Sequence, residues 1–343
     1  MYNNYNKTKP LNHRLVVIIS LIVILAALFF TYNLLSNTKS TKDVSTDKQF
    51  IDVRLATIKS VCGLPLLIAH NKGFFKDEGL NVKINYLEAG RYDLDALVSD
   101  SVDLGMIVDT NVSYFGYTGN TSVVVIATIQ EALGSAIIAK KSSGINKPED
   151  LKGKRLALSP GTTSDTFANR FIKKYNLADS GLKIEKIQPL AISSAVISGN
   201  IDAASTWDPH IYNISKILGD DVIIFHDPEI YTSYALLATR RDWASKNKEA
   251  VPAFLRAMKR ASKFVNENKE EAQEIAARLI NMDVDIVRNV WDFNKFEVSF
   301  DNGMIEEINK QGIELQATDE YKNKPMPDYS VYFDSSYIDE LNK

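Results

Sequence analysis

Residues 155–164 have the sequence RLALSPGTTS, and phenylalanine or tyrosine then recurs at every fourth position. The apolar residues up to Leu158 predict a short strand, and the spacing of Phe167, Phe171 and Tyr175 predicts an amphipathic helix from about residue 163 to 175. A strand followed at once by a helix is the repeating unit of an α/β sheet. This stretch therefore predicts the α/β class.

The alternation of strand and helix extends over most of the chain. Strands are predicted near residues 53–58, 82–87, 104–108, 123–129, 136–139 and 234–239. The helix after the first strand is expected to begin at Pro65 and to end near Gly73 and Phe74. Farther along, apolar residues follow helical spacing at 251–265, 270–280 and 284–291. We expect βαβ units followed by a mostly helical last third.

An apolar segment at residues 15–35 precedes this body. Lys7, Lys9 and Arg14 come before it, and it is long enough to cross a bilayer of about 30 Å. No Ala-x-Ala-like site follows it, so we expect an uncleaved transmembrane anchor rather than a cleaved signal segment. Residues 1–14 are then a cytoplasmic N-terminus and residues 36–50 a polar tether. The folded body is expected on the extracytoplasmic side of the cell membrane.

Composition excludes several classes of protein. With 45% hydrophobic and 24% charged residues, the chain resembles an ordinary globular protein, and its net charge of −3 argues against a nucleic-acid-binding surface. The single cysteine, Cys62, excludes an internal disulfide and a thiol-rich metal site. Cys62 also lies too far from the apolar segment to serve as a lipidation site. The fold must therefore be held together by its core.

The start of the predicted helix is the first candidate binding site. Gly161, Thr162, Thr163 and Ser164 lie where a strand turns into a helix. Free backbone N–H groups and the helix dipole favour an anion there, and hydroxyl groups add donors without adding charge. These residues could hold a small oxyanion. The alternative is that Thr162 or Thr163 only caps the helix.

Other candidate contacts follow predicted strands, which is where open α/β sheets place ligands. Trp207 could form an apolar wall of the site and Asp208 could accept a hydrogen bond from an amino or N–H group of a ligand. Alternatively, Trp207 fills the core and Asp208 caps the next helix. Weaker candidates lie at the ends of the strands near residues 53–58 and 104–108 and at the start of the strand near 234–239: Ser60, Cys62, Gly63, Asp109, Thr110, the neighbouring Asn111, and Tyr234.

Catalysis has little support in the sequence. The four histidines show no metal-ligand spacing, and no nucleophile elbow, phosphate-binding loop or dinucleotide fingerprint is present. Cys62 could be a reactive thiol, but a lone cysteine at a strand end is more often a small apolar residue of the core. We therefore expect no catalytic residue, metal or cofactor.

Four segments resemble the substrate-binding proteins of ABC importers for nitrate, sulfonates and taurine, and related thiamine-precursor binders. They are NKGFFKDEGL at residues 71–80, the ALV and VDLG elements within 96–105, the PEDLKGK element within 145–158, and GNIDA leading to WDP within 198–209. The second lacks a glycine that is usual at 99–101. The similarity covers roughly residues 53–283, and the order of the segments is more specific than any one of them.

That resemblance implies a type II periplasmic-binding-protein-like fold with two lobes, each a mixed sheet flanked by helices, after one N-terminal transmembrane helix. Lobe 1 would comprise residues 51–140 and 236–343, and lobe 2 residues 141–235. The ligand would lie in the cleft and contact residues 60–63, 109–111, 161–164 and 207–208, and the lobes would close over it.

The resemblance also implies partners. The protein would be a monomer that presents a small molecule to an ABC permease and its ATPase. Two alternatives stay open: a membrane-anchored sensor without transport, and an activity like that of the related fungal pyrimidine synthases. The second alternative is disfavoured because this chain lacks the cysteine-rich segment that those enzymes use, and also the histidine that they use with it.

Overall fold

The computed structural model describes residues 23–29, 31–32 and 50–343. Residues 23–29 and 31–32 are helical. Within the described part of the chain, no helix has both the length and the apolar character needed to cross a membrane. Most of the predicted anchor at 15–35, the N-terminus at 1–14 and nearly all of the tether at 36–50 lie outside the described residues.

Strands and helices alternate in the body as the sequence predicts. The strands are β1 (Ile51–Thr57), β2 (Leu80–Tyr86), β3 (Leu104–Val108), β4 (Val123–Ala132), β5 (Ala136–Lys140), β6 (Arg155–Leu158), β7 (Lys183–Lys186), β8 (Ala203–Thr206), β9 (Val222–Phe225), β10 (Ser233–Arg240) and β11 (Asn294–Lys295). The helices are α1 (Leu64–Asn71), α2 (Phe74–Asp77), α3 (Gly90–Val98), α4 (Asp109–Gly116), α5 (Thr163–Lys174), α6 (Pro189–Ile197), α7 (His210–Leu218), α8 (Arg241–Lys246), α9 (Ala250–Glu267), α10 (Lys269–Ile280), α11 (Val284–Trp291), α12 (Asn302–Gln316) and α13 (Ser336–Leu341).

The strands form two mixed sheets. The first has the order β11-β4-β10-β3-β1-β2, in which β2, β1 and β3 are parallel and β10 is antiparallel to β3 and β4. The second has the order β7-β6-β8-β5-β9, in which β7, β6 and β8 are parallel and β5 is antiparallel to β8 and β9. Three parallel strands beside an antiparallel one thus occur in both. We call the first sheet with its helices the first layer, and the second sheet with its helices the second layer.

The chain passes between the layers at residues 133–135 and 226–232. We expected the passages near residues 137–140 and 236–239, but β5 pairs entirely within the second sheet and β10 entirely within the first. The sheets therefore divide the chain a few residues earlier in each case than the predicted lobe boundaries at 140 and 235. An apolar run predicts a strand but does not show which sheet receives it.

Apolar helix faces cover both sides of each sheet. On the first sheet, α1 and α9 bury Leu66, Phe254 and Met258 on one side, and Tyr329 packs with α3, α4 and α12 on the other. On the second, Phe167 and Phe171 of α5 are buried on one side, and α6 and α7 cover the other. The four-residue aromatic spacing after residue 164 thus marks a helix that covers a sheet.

One predicted helix end needs correction. Gly73 lies in the left-handed region with φ of 76°, and it separates α1 from the short helix α2, so Phe74 begins a new helix. In addition, β7 has no buried residue. The helix α12 was not predicted, because its mixture of charged and apolar residues gives no clear apolar stripe. Both elements are held by neighbours distant in sequence.

Candidate functional site

A cavity of about 220 Å³ lies between the two layers. The first layer contributes Ser60, Cys62 and Asn111, and the second contributes Thr162, Thr163, Trp207 and Asp208. The two passages between the layers close it on a third side. Other lining residues are Ile58, Val61, Ala89, Gly90, Val108, Ser135, Ile211, Ile224, His226, Ser233, Val290, Phe293 and Asn294.

Five helices begin at this cavity. Residues at or just before the first turns of α1, α3, α4, α5 and α7 all line it: Val61, Cys62, Ala89, Gly90, Val108, Thr162, Thr163, Trp207 and Asp208. Helix starts present unpaired N–H groups and the positive end of the helix dipole, each favouring a nearby anion by about 0.3–1 kcal/mol. None of the described lining residues is lysine or arginine. The cavity can therefore attract negative charge without a cationic side chain.

The hydroxyl groups at the start of α5 have different roles. The Thr162 hydroxyl donates to the carbonyl oxygen of Ser159 (2.7 Å), and the Ser164 hydroxyl accepts from the backbone N–H of Ser159 (2.9 Å). These two hydroxyls hold the turn in shape. Thr163 is the hydroxyl that lines the cavity without such a bond to the described residues. The predicted cluster of three ligand-binding hydroxyls is therefore reduced to one hydroxyl on a turn fixed by the other two.

Trp207 and Asp208 lie at another of these helix starts, that of α7. Asp208 Oδ1 accepts from the backbone N–H of Tyr212 (3.0 Å), which is the capping role weighed above. Its Oδ2 has no partner among the described residues, and Asp208 lines the cavity. Burial raises the pKa of Asp208, while the N–H of Tyr212 and the nearby His226 lower it. Asp208 thus uses one oxygen to cap the helix, and its other oxygen has no partner among the described residues.

A further part of the cavity lining consists of residues that the sequence did not indicate. The His226 ring stacks on Phe293 with centroids 4.4 Å apart, and its Nε2 lies 2.5 Å from the carbonyl oxygen of Leu133. Asn294 Oδ1 accepts from Gln130. These residues come from a passage between the layers and from the short strand β11. Only the fold brings them to the cavity.

Comparison with known proteins identifies the family of this chain. A model of the family described as NMT1/THI5 like matches residues 63–272. This chain belongs to the NMT1/THI5-like family. The match confirms the family resemblance predicted from the four sequence segments.

Relatives of this NMT1/THI5-like protein include named binding proteins. A putative aliphatic sulfonates-binding protein of Bacillus subtilis (strain 168) is 26% identical over 275 residues, which are 79% of this chain and 81% of the relative. The taurine-binding periplasmic protein of Escherichia coli (strain K12) is 26% identical over 189 residues, 54% and 57% of the two chains. Both are named as binding proteins rather than enzymes.

A solved structure has the same fold. The periplasmic aliphatic sulphonate binding protein SsuA from Escherichia coli superposes with a TM-score of 0.68 at 18% identity, over 82% of this chain and 96% of that one. The architecture is thus the periplasmic-binding-protein-like α/β fold, with two mixed sheets flanked by helices.

Six candidate contacts lie away from the cavity: Gly63, Asp109, Thr110, Gly161, Ser164 and Tyr234. Gly63 donates its N–H to Gln130 Oε1 (2.8 Å), and Tyr234 donates its N–H to Asp109 (3.2 Å). Gly161 lines a different cavity of about 640 Å³ between the layers. Each of these residues lies near the end or the start of a strand or helix, but residues on opposite sides of a turn face different surroundings.

Asp109 belongs to what we call the buried network, which consists of Asp109, Tyr231, Gln311, Glu307 and Arg170. The Tyr231 hydroxyl and Gln311 Nε2 donate to Asp109 at 2.6–2.8 Å, and Gln311 also donates to Glu307 (2.8 Å). Arg170 of the second layer pairs with Glu307 of the first (2.7 Å). Thr110, the neighbour of Asp109, lies 3.1 Å from Tyr231. The network joins both layers and the passage between them.

Burial sets the protonation of the acidic groups in this region. It raises the pKa of Asp109 to about 7, against the opposing effect of the Tyr231 hydrogen bond. It also raises the pKa of the Cys62 thiol to about 12, so Cys62 is a neutral thiol at neutral pH and a poor nucleophile. The interpretation of Cys62 as a reactive residue is not favoured by these surroundings.

Proposed function

We propose that this protein is an extracytoplasmic solute-binding protein that delivers a small organic solute of the sulfonate or taurine type to an ABC importer. The observation that carries the proposal is the meeting of five helix starts at a cavity with no lysine or arginine among its described lining residues. A sulfonate has three oxygens that accept from N–H and hydroxyl donors, and Thr163 and the N–H groups at the start of α5 offer such donors.

The part of the cavity at Asp208 favours a positively charged or hydrogen-donating group. Asp208 Oδ2 accepts from no donor among the described residues, and a bare inorganic anion beside this carboxylate would be costly. An amine would pair with Asp208, and Trp207 would pack on the short carbon chain between the two ends. Taurine combines an amine and a sulfonate at this scale. Nitrate lacks both the amine and the apolar part.

A second ligand class is supported by the walls of the cavity. Trp207 and the stacked pair of His226 and Phe293 offer flat apolar surfaces, and Asp208 can accept from a ring amino group. A pyrimidine related to the thiamine precursors would use the same residues. A shared fold does not decide between binding and catalysis. Among the cavity residues described above, however, neither Cys62 nor any other residue is a nucleophile paired with a general base.

In this proposal ligand binding is followed by closure of the layers, and the closed form is recognised by a permease with its ATPase. The protein acts as a monomer without a cofactor and does not bind nucleic acid. Residues 15–35 hold it in the cell membrane with the body outside. Protease treatment of intact cells tests this arrangement: the body should be digested, while a body protected until lysis contradicts it.

Thermal unfolding of the full-length protein tests the ligand. Taurine, ethanesulfonate, nitrate, a thiamine-precursor pyrimidine and riboflavin are each added at increasing concentration. A ligand at one hundred times its dissociation constant adds about 2.7 kcal/mol, which raises the midpoint by several degrees. We expect taurine to give the largest shift, and Thr163→Ala and Trp207→Ala to remove it.

The surface variant Thr121→Ala serves as the control and should retain the shift. A shift with the pyrimidine alone would support the second ligand class. No shift with any of the five compounds would reject both ligand assignments.

A further inference from the structure

Two side chains of the first layer reach the turn that precedes α5 in the second layer. Asn111 Nδ2 donates to the carbonyl oxygen of Gly161 (2.8 Å), and Arg91 Nη1 donates to the carbonyl oxygen of Pro160 (3.0 Å). Asn111 is 2% exposed and lies in the first turn of α4. These two cross-layer hydrogen bonds therefore help to fix the position of the turn relative to the first layer.

Asn111 is held in one orientation by its other partner. Its Oδ1 accepts from the backbone N–H of Val108 (2.8 Å), which can only donate. The amide nitrogen must then face the Gly161 carbonyl, which can only accept. Gly90 provides the space, because a Cβ at that position would lie 2.7 Å from Asn111 Oδ1. Asn111 thus has a fixed position as well as a fixed orientation.

Holding a carbonyl oxygen also fixes the neighbouring N–H group. The peptide unit between Gly161 and Thr162 is planar, so the direction of the Gly161 carbonyl determines the direction of the Thr162 N–H. The backbone N–H groups of Thr162 and Thr163 donate to none of the described residues. These groups are the donors at the start of α5, and their placement depends on the turn that Asn111 holds.

We propose that Asn111 is a positioning residue for the oxyanion end of the cavity. Asn111 holds the Gly161 carbonyl across the cleft and so acts through the turn at residues 160–162. It is not the main hydrogen-bond donor to the anion. This inference rests on the proposed function, since it takes the start of α5 as the place of the oxyanion. It links closure of the layers to the arrangement of the binding donors, because the hydrogen bond exists only when the layers meet.

Two variants remove this hydrogen bond by different means. Asn111→Asp keeps the acceptor for Val108 but replaces the donor with an oxygen that repels the Gly161 carbonyl. Gly90→Ala adds no charge and displaces Asn111 by the contact described above. The control is Asn309→Asp on the exposed face of α12, where Asn309 donates only to Ile305 of its own helix. Each full-length protein is titrated with taurine by calorimetry.

We expect both Asn111→Asp and Gly90→Ala to weaken taurine binding at least tenfold, with Asn309→Asp unchanged. Agreement between the two variants separates loss of positioning from simple repulsion of the anion by a new carboxylate. If Gly90→Ala binds taurine as the wild type does, or if Asn111→Asp does so, the proposal is overturned.

A measurement without ligand distinguishes this proposal from the proposed function. Hydrogen exchange is followed in the peptide containing residues 160–164 of the ligand-free proteins. We expect faster exchange there in Asn111→Asp than in Asn309→Asp, by more than any increase in the rest of the protein. Equal exchange at 160–164 refutes the positioning role even if taurine binds. Faster exchange throughout the protein with a lower midpoint shows a purely structural role and also refutes it.

Discussion

The cavity and the buried network both join the two layers, but their polar groups are satisfied differently. In the network, Asp109 accepts from Tyr231, Gln311 and Tyr234, and Arg170 is paired with Glu307. At the cavity, Asp208 Oδ2 and the N–H groups at the start of α5 have no partner among the described residues. Leaving a buried polar group unpaired costs about 1–3 kcal/mol. The polar groups of the network are thus paired with one another, whereas the cavity has polar groups without a partner among the described residues.

The comparison predicts that damage to the network affects stability first. Arg170→Met leaves the partly buried Glu307 without its ion pair, and breaking a fully buried pair costs about 3–5 kcal/mol, which is the upper limit here. We expect a large drop in the midpoint of chemical unfolding. The double variant Arg170→Met with Glu307→Gln should recover part of the loss, because the unpaired charge is gone.

The matched control is Arg288→Met, which removes an exposed pair with Asp285. It should change the free energy of unfolding little, since exposed pairs contribute little. Equal losses in Arg170→Met and Arg288→Met would show that the network does not stabilise the junction of the layers.

The network should also give stability a distinctive dependence on pH. Burial raises the pKa of Asp109 to about 7 from 3.8, so the folded protein holds a proton that the unfolded chain releases above about pH 4. The contribution of Asp109 is therefore full below pH 4, falls between pH 4 and about 7, and is constant above that. The difference corresponds to about 4 kcal/mol.

Asp109→Asn removes this titration. We expect the free energy of unfolding of the variant, relative to wild type, to rise as pH increases from 4 to 7 and then to level off. Chemical unfolding at several pH values measures it. A difference that does not vary with pH would mean that Asp109 is ionised in the folded protein throughout this range.

At the cavity, the corresponding change should affect binding rather than folding. Trp207→Ala removes the apolar wall over the ligand, and we expect it to weaken taurine binding by about 2 kcal/mol, or about thirtyfold, from the lost apolar contact. Trp207→Phe keeps a flat ring and should lose less. Calorimetric titration measures both. Full affinity in Trp207→Ala would place the ligand elsewhere.

The smallest expected effect separates the two ends of the ligand. Asp208→Asn should weaken taurine binding by about tenfold, because a charge-assisted hydrogen bond to the amine is lost. Ethanesulfonate has no amine, so its binding should be unchanged or stronger. Parallel losses for the two compounds would indicate that Asp208 acts by capping α7 rather than by binding the amine.

The same contrast shows what the sequence could predict. The strand ending at Leu158, the helix after it and the turn at Trp207 each have a local pattern, so their places in the fold were predictable. Asp109 follows a strand in the same way, and nothing local shows that Gln311 and Tyr231 enclose it. Local periodicity gives elements, but it does not give the distant partners that decide whether a polar residue faces a ligand or the interior.

The residues missed at the cavity support this explanation. His226 and Phe293 stack against each other although 67 positions separate them, and neither belongs to a periodic segment. Asn111 was identified as a weak candidate at a strand end, but its bond to Gly161 depends on the approach of the second layer. Contacts between layers are therefore where prediction from one sequence fails in this protein.

Hydrogen exchange of the full-length protein with and without saturating taurine tests the central claim most directly. The account predicts slower exchange in peptides from both layers at once, namely those containing residues 108–112, 160–164 and 207–212. Slower exchange confined to the larger cavity near residues 315–321, or no change in any of these peptides, would contradict a ligand held between the layers at the helix starts.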